Sequence, residues 1–252
     1  MHNHLSPTAE SALSITRDAG EVARKWFETS GIQVETKFDG SPVTRADREV
    51  EDVFRSSLRE LFPDDGIFGE EFGEVEGTSG NRWIIDPIDG TKSFVHAVPL
   101  YGNLLAYERS GEIVFGAMNF PSIDVMVYAE KGKGCWRNDV RVNVSERGSL
   151  DGAYLMATWL EDWKPETIRD LIDRGVVLRT WGDAFGYAMV ASGHADVVVD
   201  YTTQPYDLAP MPVIISEAGG RFTALDGRPG YDRGTGIASN GLLHEAVLKL
   251  VN

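Results

Sequence analysis

Trp83-Ile84-Ile85-Asp86-Pro87-Ile88-Asp89-Gly90-Thr91 is the stretch on which the reading of this chain turns. Its first three residues are all apolar, as in a strand buried on both faces. The run ends in two aspartates around a proline. Pro87 fixes its own φ and Gly90 permits a tight bend. Both carboxylates can therefore converge at the strand's end, where connecting segments carry function. Paired carboxylates beside a buried strand repel each other and resist desolvation, and a divalent cation relieves both costs. The same spacing also fits a capped turn before a helix at Thr91, with Asp89 an ordinary turn residue. Spacing alone leaves both readings open.

Upstream, Ser6-Pro7 reads as an N-cap and first helical residue. Ala12, Ile15, Ala19, Val22 and Trp26 follow at helical spacing. A polar stretch with Gly31 and Asp39-Gly40 breaks this helix. Val50, Val53, Phe54, Leu58 and Leu61 mark a second one, which Pro63 ends. Downstream, Leu100–Tyr107, Ile113–Phe120 and Val125–Ala129 read as successive strands with turns at Ser110-Gly111 and Pro121-Ser122. The N-terminal half is thus expected to be two helices and a mostly antiparallel sheet. The second half alternates: strands at Tyr154–Ala157, Val176–Leu178 and Val197–Val199, helices at Pro165–Asp173, Asp183–Ala191, Leu208–Ala218 and Leu242–Val251. Such alternation predicts a layered α/β lobe. We expect one catalytic unit made of an N-terminal α+β lobe, about residues 1–144, and a C-terminal α/β lobe, about 145–252.

The chain has 252 residues, 42% of them hydrophobic, which is enough for a sizeable core. Its formal net charge of -15 disfavours nucleic acid and anionic membrane, whose phosphates are bound by Lys and Arg. An acidic protein draws in a phosphate only where bound cations invert the local charge, so a phosphate substrate here requires metal. The single cysteine, Cys135, excludes an internal disulfide and argues against a Cys-based zinc site. No signal-peptide pattern or long apolar run is seen, and a soluble cytoplasmic protein is expected.

Two further acidic segments bear on the Asp86/Asp89 question. Gly69-Glu70-Glu71-Phe72-Gly73 sets adjacent acids among glycines, and by itself reads as an exposed turn. Tyr206-Asp207-Leu208-Ala209 leads to Glu217-Ala218-Gly219-Gly220, and by itself Asp207 reads as an acid favoured near a helix N-terminus. Together and in this order, Glu70-Glu71, Asp86-Pro87-Ile88-Asp89-Gly90-Thr91 and Tyr206-Asp207-Leu208-Ala209 resemble the inositol monophosphatase family of metal-dependent phosphatases. The similarity runs over nearly the whole chain. Tyr206 departs from it, standing where the family commonly has Trp.

The resemblance implies a layered α-β-α-β-α sandwich of the inositol monophosphatase/fructose-1,6-bisphosphatase type, often homodimeric. It implies a Mg²⁺-dependent phosphomonoesterase with two or three ions per site, in keeping with the oxygen ligands that hard cations prefer. By resemblance, Glu70, Asp86 and the carbonyl of Ile88 hold a first ion, and Asp86, Asp89 and Asp207 a second. A third uses Glu70 through water. Gly90 and Thr91 present backbone N–H groups to the phosphate, and the start of a helix there assists. Thr91 and Asp47 form a hydroxyl–carboxylate pair that orients or deprotonates the attacking water, and Glu71 positions metal-bound water. Asp47, in Thr44-Arg45-Ala46-Asp47, equally fits a capping box at the start of the second helix. Lys37 matches a family lysine near the extra metal site.

Substrate choice is expected to lie in Arg179-Thr180-Trp181-Gly182-Asp183, which matches the family's substrate loop. Asp183 also fits an N-cap. Asp200 stands where inositol-cleaving relatives place a hydroxyl-binding acid. The Trp181-Gly182-Asp183 stretch and the Gly69–Gly73 form of the glutamate motif resemble the histidinol-phosphatase branch. Acids at 183 and 200 with an aromatic at 181 suit a cationic substrate such as histidinol phosphate better than a neutral polyol. Inositol monophosphate, a sugar bisphosphate and a nucleotide 3′-phosphate are the alternatives. The five histidines show no metal spacing beyond His2/His4. The glycine-rich turn Lys131–Trp136 is a weak phosphate-cradle candidate. Trp159 and Trp163 fit either a pocket or a subunit contact. A non-catalytic metal-binding relative is the competing class, and the intact set Asp47, Glu70, Asp86, Asp89, Thr91 and Asp207 argues against it.

Overall fold

Helix α1 (Pro7–Phe27) starts where Ser6-Pro7 places it: the Ser6 hydroxyl accepts from Ala9 N at 3.2 Å, and Pro7 occupies the first turn. This computed structural model describes residues 5–29, 34–36 and 42–252. Lys37, His2, His4, Gly31 and Asp39-Gly40 lie outside the described residues. A short antiparallel pair, β1 (Val34–Thr36) and β2 (Pro42–Thr44), leads into α2 (Arg45–Leu61). That helix opens on the expected capping box between Thr44 and Asp47.

The chain then builds β3 (Gly66–Gly69), β4 (Gly73–Val75), β5 (Asn81–Asp89), the short α3 (Thr91–Val95), β6 (Gly102–Arg109), β7 (Glu112–Phe120), β8 (Val125–Glu130), β9 (Cys135–Arg137) and β10 (Val140–Val142). These strands form one sheet in the order β10-β9-β8-β7-β6-β5-β3-β4. Every pair in it is antiparallel except β3–β5. The second half supplies β11 (Tyr154–Met156), α4 (Pro165–Asp173), β12 (Val177–Arg179), α5 (Asp183–Ala191), β13 (Val197–Asp200), α6 (Pro205–Leu208), α7 (Met211–Glu217), β14 (Arg221–Thr223), β15 (Gly236–Ser239) and α8 (His244–Val251). Its sheet runs β12-β11-β13-β15-β14, parallel at β11 and antiparallel around β15.

Side-chain alternation along the strands sorts the core into three slabs. Trp83 and Ile85 of β5 pack with Leu105 and Phe115 against α1 and α2. Their neighbour Ile84 points the other way, with Leu104, Met118 and Phe120, into the space filled by Tyr187 of α5 and Ile214 of α7. Val198 of β13 closes that space from the second sheet, while Val197 and Val199 face Leu171 of α4 and Val247 of α8. The result is the helix–sheet–helix–sheet–helix layering that the resemblance implied. Trp163 is in the outermost slab, edge-on to Tyr201.

Two expectations need correction. The single helix expected over Leu208–Ala218 is broken into α6 and α7: Ala209 and Pro210 keep helical dihedrals, but Pro210 and Pro212 have no N–H to donate, so the ladder of hydrogen bonds is interrupted there. The turn around Gly132 and Gly134 is no phosphate cradle: both N–H groups donate at 2.7 Å to the Glu217 carboxylate at the end of α7. Among the described residues no helix is long and apolar enough to cross a membrane.

Candidate active site

Pro87 lies in a central strand, normally a poor place for it. Here it costs no ladder bond: pairing with β3 ends at Gly69–Ile85, and pairing with β6 shifts register between Asp86 and Asp89. The Pro87 carbonyl, freed by this irregularity, accepts from the buried Asn103 amide at 2.5 Å. Gly90, at φ 76, then turns the chain into α3. With five residues α3 is little more than one turn, so it offers N–H groups rather than a sizeable dipole.

The irregular end of β5 brings Asp86 and Asp89 together, and α6, packed against β5 in the helix layer between the sheets, brings Asp207 to them. One carboxylate oxygen from each lies within 4.8 Å of the others. Asp89 Oδ2 accepts from Ala184 N of α5 at 2.7 Å, and Asp207 Oδ2 accepts from Gln204 N at 2.8 Å. Glu70 lies beside them: its N–H donates to Ile85 O at 3.3 Å, and its carboxylate is close enough to act on Asp86.

Thr91 and Asp47 meet as expected, and the two roles weighed for Asp47 prove compatible. Its Oδ2 accepts from the N–H and the hydroxyl of Thr44, both at 2.7 Å, while Oδ1 faces the Thr91 hydroxyl at 3.3 Å. The Thr91 hydroxyl also reaches the Ile88 carbonyl, at 2.9 Å. Glu71 is near enough for its charge to act on Asp47.

A small cavity of about 50 Å³ adjoins the acids, lined by Asp89, Trp159, Asp183, Tyr187, Asp200 and Asp207 among others. Asp183 does not cap α5. Gly182 takes the N-cap position, pressed against Thr158, and Asp183 follows at φ 50, a left-handed conformation unusual for a non-glycine residue. Among the described residues no donor reaches its carboxylate, which overhangs Gly90: a Cβ built there would stand 3.1 Å from Asp183 Oδ2. Asp200 is buried and held by Tyr187 Oη at 2.9 Å and Thr158 N at 3.1 Å. Trp181 and Gly182 are not in the lining. Trp181 is 40% exposed and stacks on Arg179 instead. The aromatic wall is Trp159, whose ring carries the Lys92 ammonium 3.9 Å from its centroid. Trp159, which the sequence left open between a pocket and a subunit contact, lies in this lining, whereas Tyr187 belongs to no short pattern and the sequence does not mark it.

The aspartates here are pushed towards their neutral forms. Burial, followed by the charges of Glu70, Asp89 and Asp207, holds Asp86 well above the usual carboxylate range. Burial and then Asp183 and Asp207 do the same to Asp89. Asp207 is pushed up to about 7 by burial and by Glu70, Asp183 and Asp200, against the pull of Gln204 N–H. Burial and Asp200 push Asp183 up to about 6, with Lys92 opposing. Asp86 Oδ1 is buried without a partner among the described residues. A donor set made only of oxygens, mutually repelling and including an orphaned buried oxygen, fits a hard divalent cation.

Comparison with known proteins bears on what such a site does. The profile of the inositol monophosphatase family matches residues 4–252. A histidinol-phosphatase of Chlorobaculum parvum is 40% identical over 240 residues, covering 93% of this chain and 92% of that protein. A fructose-1,6-bisphosphatase/inositol-1-monophosphatase of Thermotoga maritima is 36% identical, covering 96% and 94%. The crystal structure of the extragenic suppressor protein suhB from Bartonella henselae superposes with a TM-score of 0.91 at 28% identity, covering 98% of this chain and 99% of that one. With its acids gathered at one irregular strand end, its layered sandwich and a family match that spans nearly every residue, this chain belongs to the inositol monophosphatase family and is a phosphoric monoester hydrolase.

Proposed function

We propose that the chain hydrolyses histidinol phosphate to histidinol and inorganic phosphate, with two or three Mg²⁺ ions. The observation that carries the substrate choice is the pairing of a free carboxylate, Asp183, with an aromatic wall, Trp159, that already holds a cation on its face. Asp183 overhangs the Gly90 turn. A β-ammonium phosphate ester keeps its positive charge a few atoms from phosphorus, within reach of that carboxylate. The imidazole end then meets Trp159. A neutral polyol would add no charge to the Lys92 ammonium that, among the described residues, alone offsets this carboxylate.

Glu70, Asp86, Asp89 and Asp207 would hold the ions, with the Ile88 carbonyl as a further oxygen ligand. Bound ions would supply Lewis-acid polarisation of the phosphoryl group and a lowered water pKa. The chain's own part is positional. The Thr91 hydroxyl donates its hydrogen bond to the Ile88 carbonyl or to Asp47 Oδ1 and keeps its proton, which leaves its oxygen lone pairs free to accept from an attacking water. Asp47 is held for this by Thr44, and burial keeps its affinity for protons raised. Glu71, beside Asp47, orients water from the other side. N–H groups of Gly90 and Thr91 face the phosphate oxygens. Asp200, fixed by Tyr187 and Thr158, supports the Asp183 side of the cavity.

A homodimer in the cytoplasm, acting on small phosphorylated metabolites and not on nucleic acid or membrane, completes the proposal. A substrate panel read by phosphate release tests it. The kcat/KM for histidinol phosphate should exceed that for inositol 1-phosphate and fructose 1,6-bisphosphate at least about tenfold, the value of one charged contact. A ranking led by inositol 1-phosphate overturns the assignment.

A further inference from the structure

Helix α2 presents three ionisable side chains one turn apart along its inner face: Asp47, Glu51 and Arg55. Asp47 serves the Thr91 turn. Glu51 and Arg55 form an ion pair at 2.7 Å with side chains 0% and 4% exposed, far more buried than an ordinary helix pair. A buried pair is a weak source of stability, because desolvating both charges offsets their attraction. What this pair does touch is the glutamate turn. Glu51 Oε2 accepts from Glu71 N at 2.7 Å, and Oε1 accepts from Phe72 N at 3.2 Å. Arg55 Nη2 donates to Gly73 O at 2.5 Å, and its guanidinium faces the Phe72 ring. Gly69 is glycine because a Cβ there would stand 2.2 Å from Glu51 Oε1. Glu70 is therefore held on one side by β5, through its N–H to Ile85 O, and on the other by α2 through its neighbours.

We propose that Glu51 and Arg55 are positioning residues that set the Glu70 carboxylate against Asp86 and so govern divalent-cation affinity. This rests on the reading that Glu70 is a cation ligand. Outer partners that orient metal ligands typically change affinity about 10- to 100-fold when removed.

The test uses the whole chain and Mn²⁺, whose binding is read from loss of the free-ion paramagnetic resonance signal, with no turnover involved. Glu51→Leu combined with Arg55→Met removes both charges together, avoiding a stranded partner. This variant should melt cooperatively in EDTA and bind Mn²⁺ about 10- to 100-fold more weakly than the unaltered chain. In a Glu70→Gln background the same two changes should alter the affinity by less than about threefold, since the group they orient is gone. Should the double variant fail to fold, Glu51→Gln carries the test, with a loss of about fivefold or more that again vanishes in Glu70→Gln. Unchanged Mn²⁺ affinity, alongside a clear loss in Glu70→Gln alone, overturns the positioning role and leaves the metal reading standing. Equal losses in both backgrounds reduce the pair to general structural support and likewise overturn it. If Glu70→Gln alone binds Mn²⁺ normally, the reading of Glu70 as a ligand fails, and the proposal with it.

Discussion

Replacing Asp86 by Asn should change stability and activity in opposite directions. In the metal-free protein Asp86 is buried, and Glu70, Asp89 and Asp207 all oppose its charge. Two full charges separated by the 4.8 Å that bounds the cluster repel by roughly 3 kcal/mol at an effective dielectric near 20. Since the acids already share protons among themselves, only part of this is recovered, about 1–3 kcal/mol. For a chain of this size that corresponds to a Tm higher by about 3–9 °C in EDTA. In excess Mg²⁺ the order reverses, because only the unaltered site gains stability by binding. Activity should fall at least about a thousandfold, as a bound ion supplies several kcal/mol to the transition state and about 4 kcal/mol is three decades. Paired melting curves with EDTA and with Mg²⁺, alongside phosphate release, read all three quantities. A variant that melts lower than the parent in EDTA yet keeps activity within tenfold would refute the reasoning, since Asp86 would then be a structural acid and not a ligand.

Thr91→Val and Asp47→Asn should each lower kcat by about 10²–10⁴, with the double variant no worse than the poorer single one, because the two groups act as a unit. Additive losses in the kinetic cycle would separate them. Trp159→Leu should lower kcat/KM for histidinol phosphate by about 5- to 30-fold with little change for inositol 1-phosphate, while Trp181→Leu leaves both near the parent value. His244 is buried between the hydroxyls of Ser239 and Thr223, and burial followed by the Arg221 charge pushes its imidazole down to about 4 from 6.5. The unfolded chain takes up a proton near 6.5 and the folded one resists it, so the stability this neutral histidine contributes is full above pH 6.5 and lost as pH falls towards 4. Tm measured across that window should drop, and His244→Gln should flatten the drop.

The elements that were legible in advance are those whose signals are local. Ser6-Pro7 and Thr44-Arg45-Ala46-Asp47 mark helix starts through their own backbone contacts, and α4 and α5 begin and end where periodicity placed them. What was missed depends on distant partners. Gly236–Ser239 has no strand-like composition, yet β15 is wholly buried because β13 and β14 pair with it on both sides. The Pro210 break follows from the N–H that proline lacks, but the apolar run through it hides it. In the site, the acids stand out through motif, whereas Trp181 lies outside the cavity lining and Trp159, open between a pocket and a subunit contact in the sequence, lies in it. Position in a loop does not say which way a ring points, and Trp181 faces Arg179. Glu51 and Arg55 read as an ordinary helix pair, because their true partners, Glu71 N, Phe72 N and Gly73 O, come from the turn between β3 and β4.

The claim on which all of this stands is that acids from β5, α6 and the β3–β4 turn share cations. Anomalous diffraction from crystals soaked in Mn²⁺ and phosphate examines it directly. The account predicts Mn²⁺ peaks bridging Asp86, Asp89, Asp207 and Glu70, with phosphate against the Gly90-Thr91 turn. Peaks elsewhere with this cluster empty at saturating Mn²⁺ would contradict it.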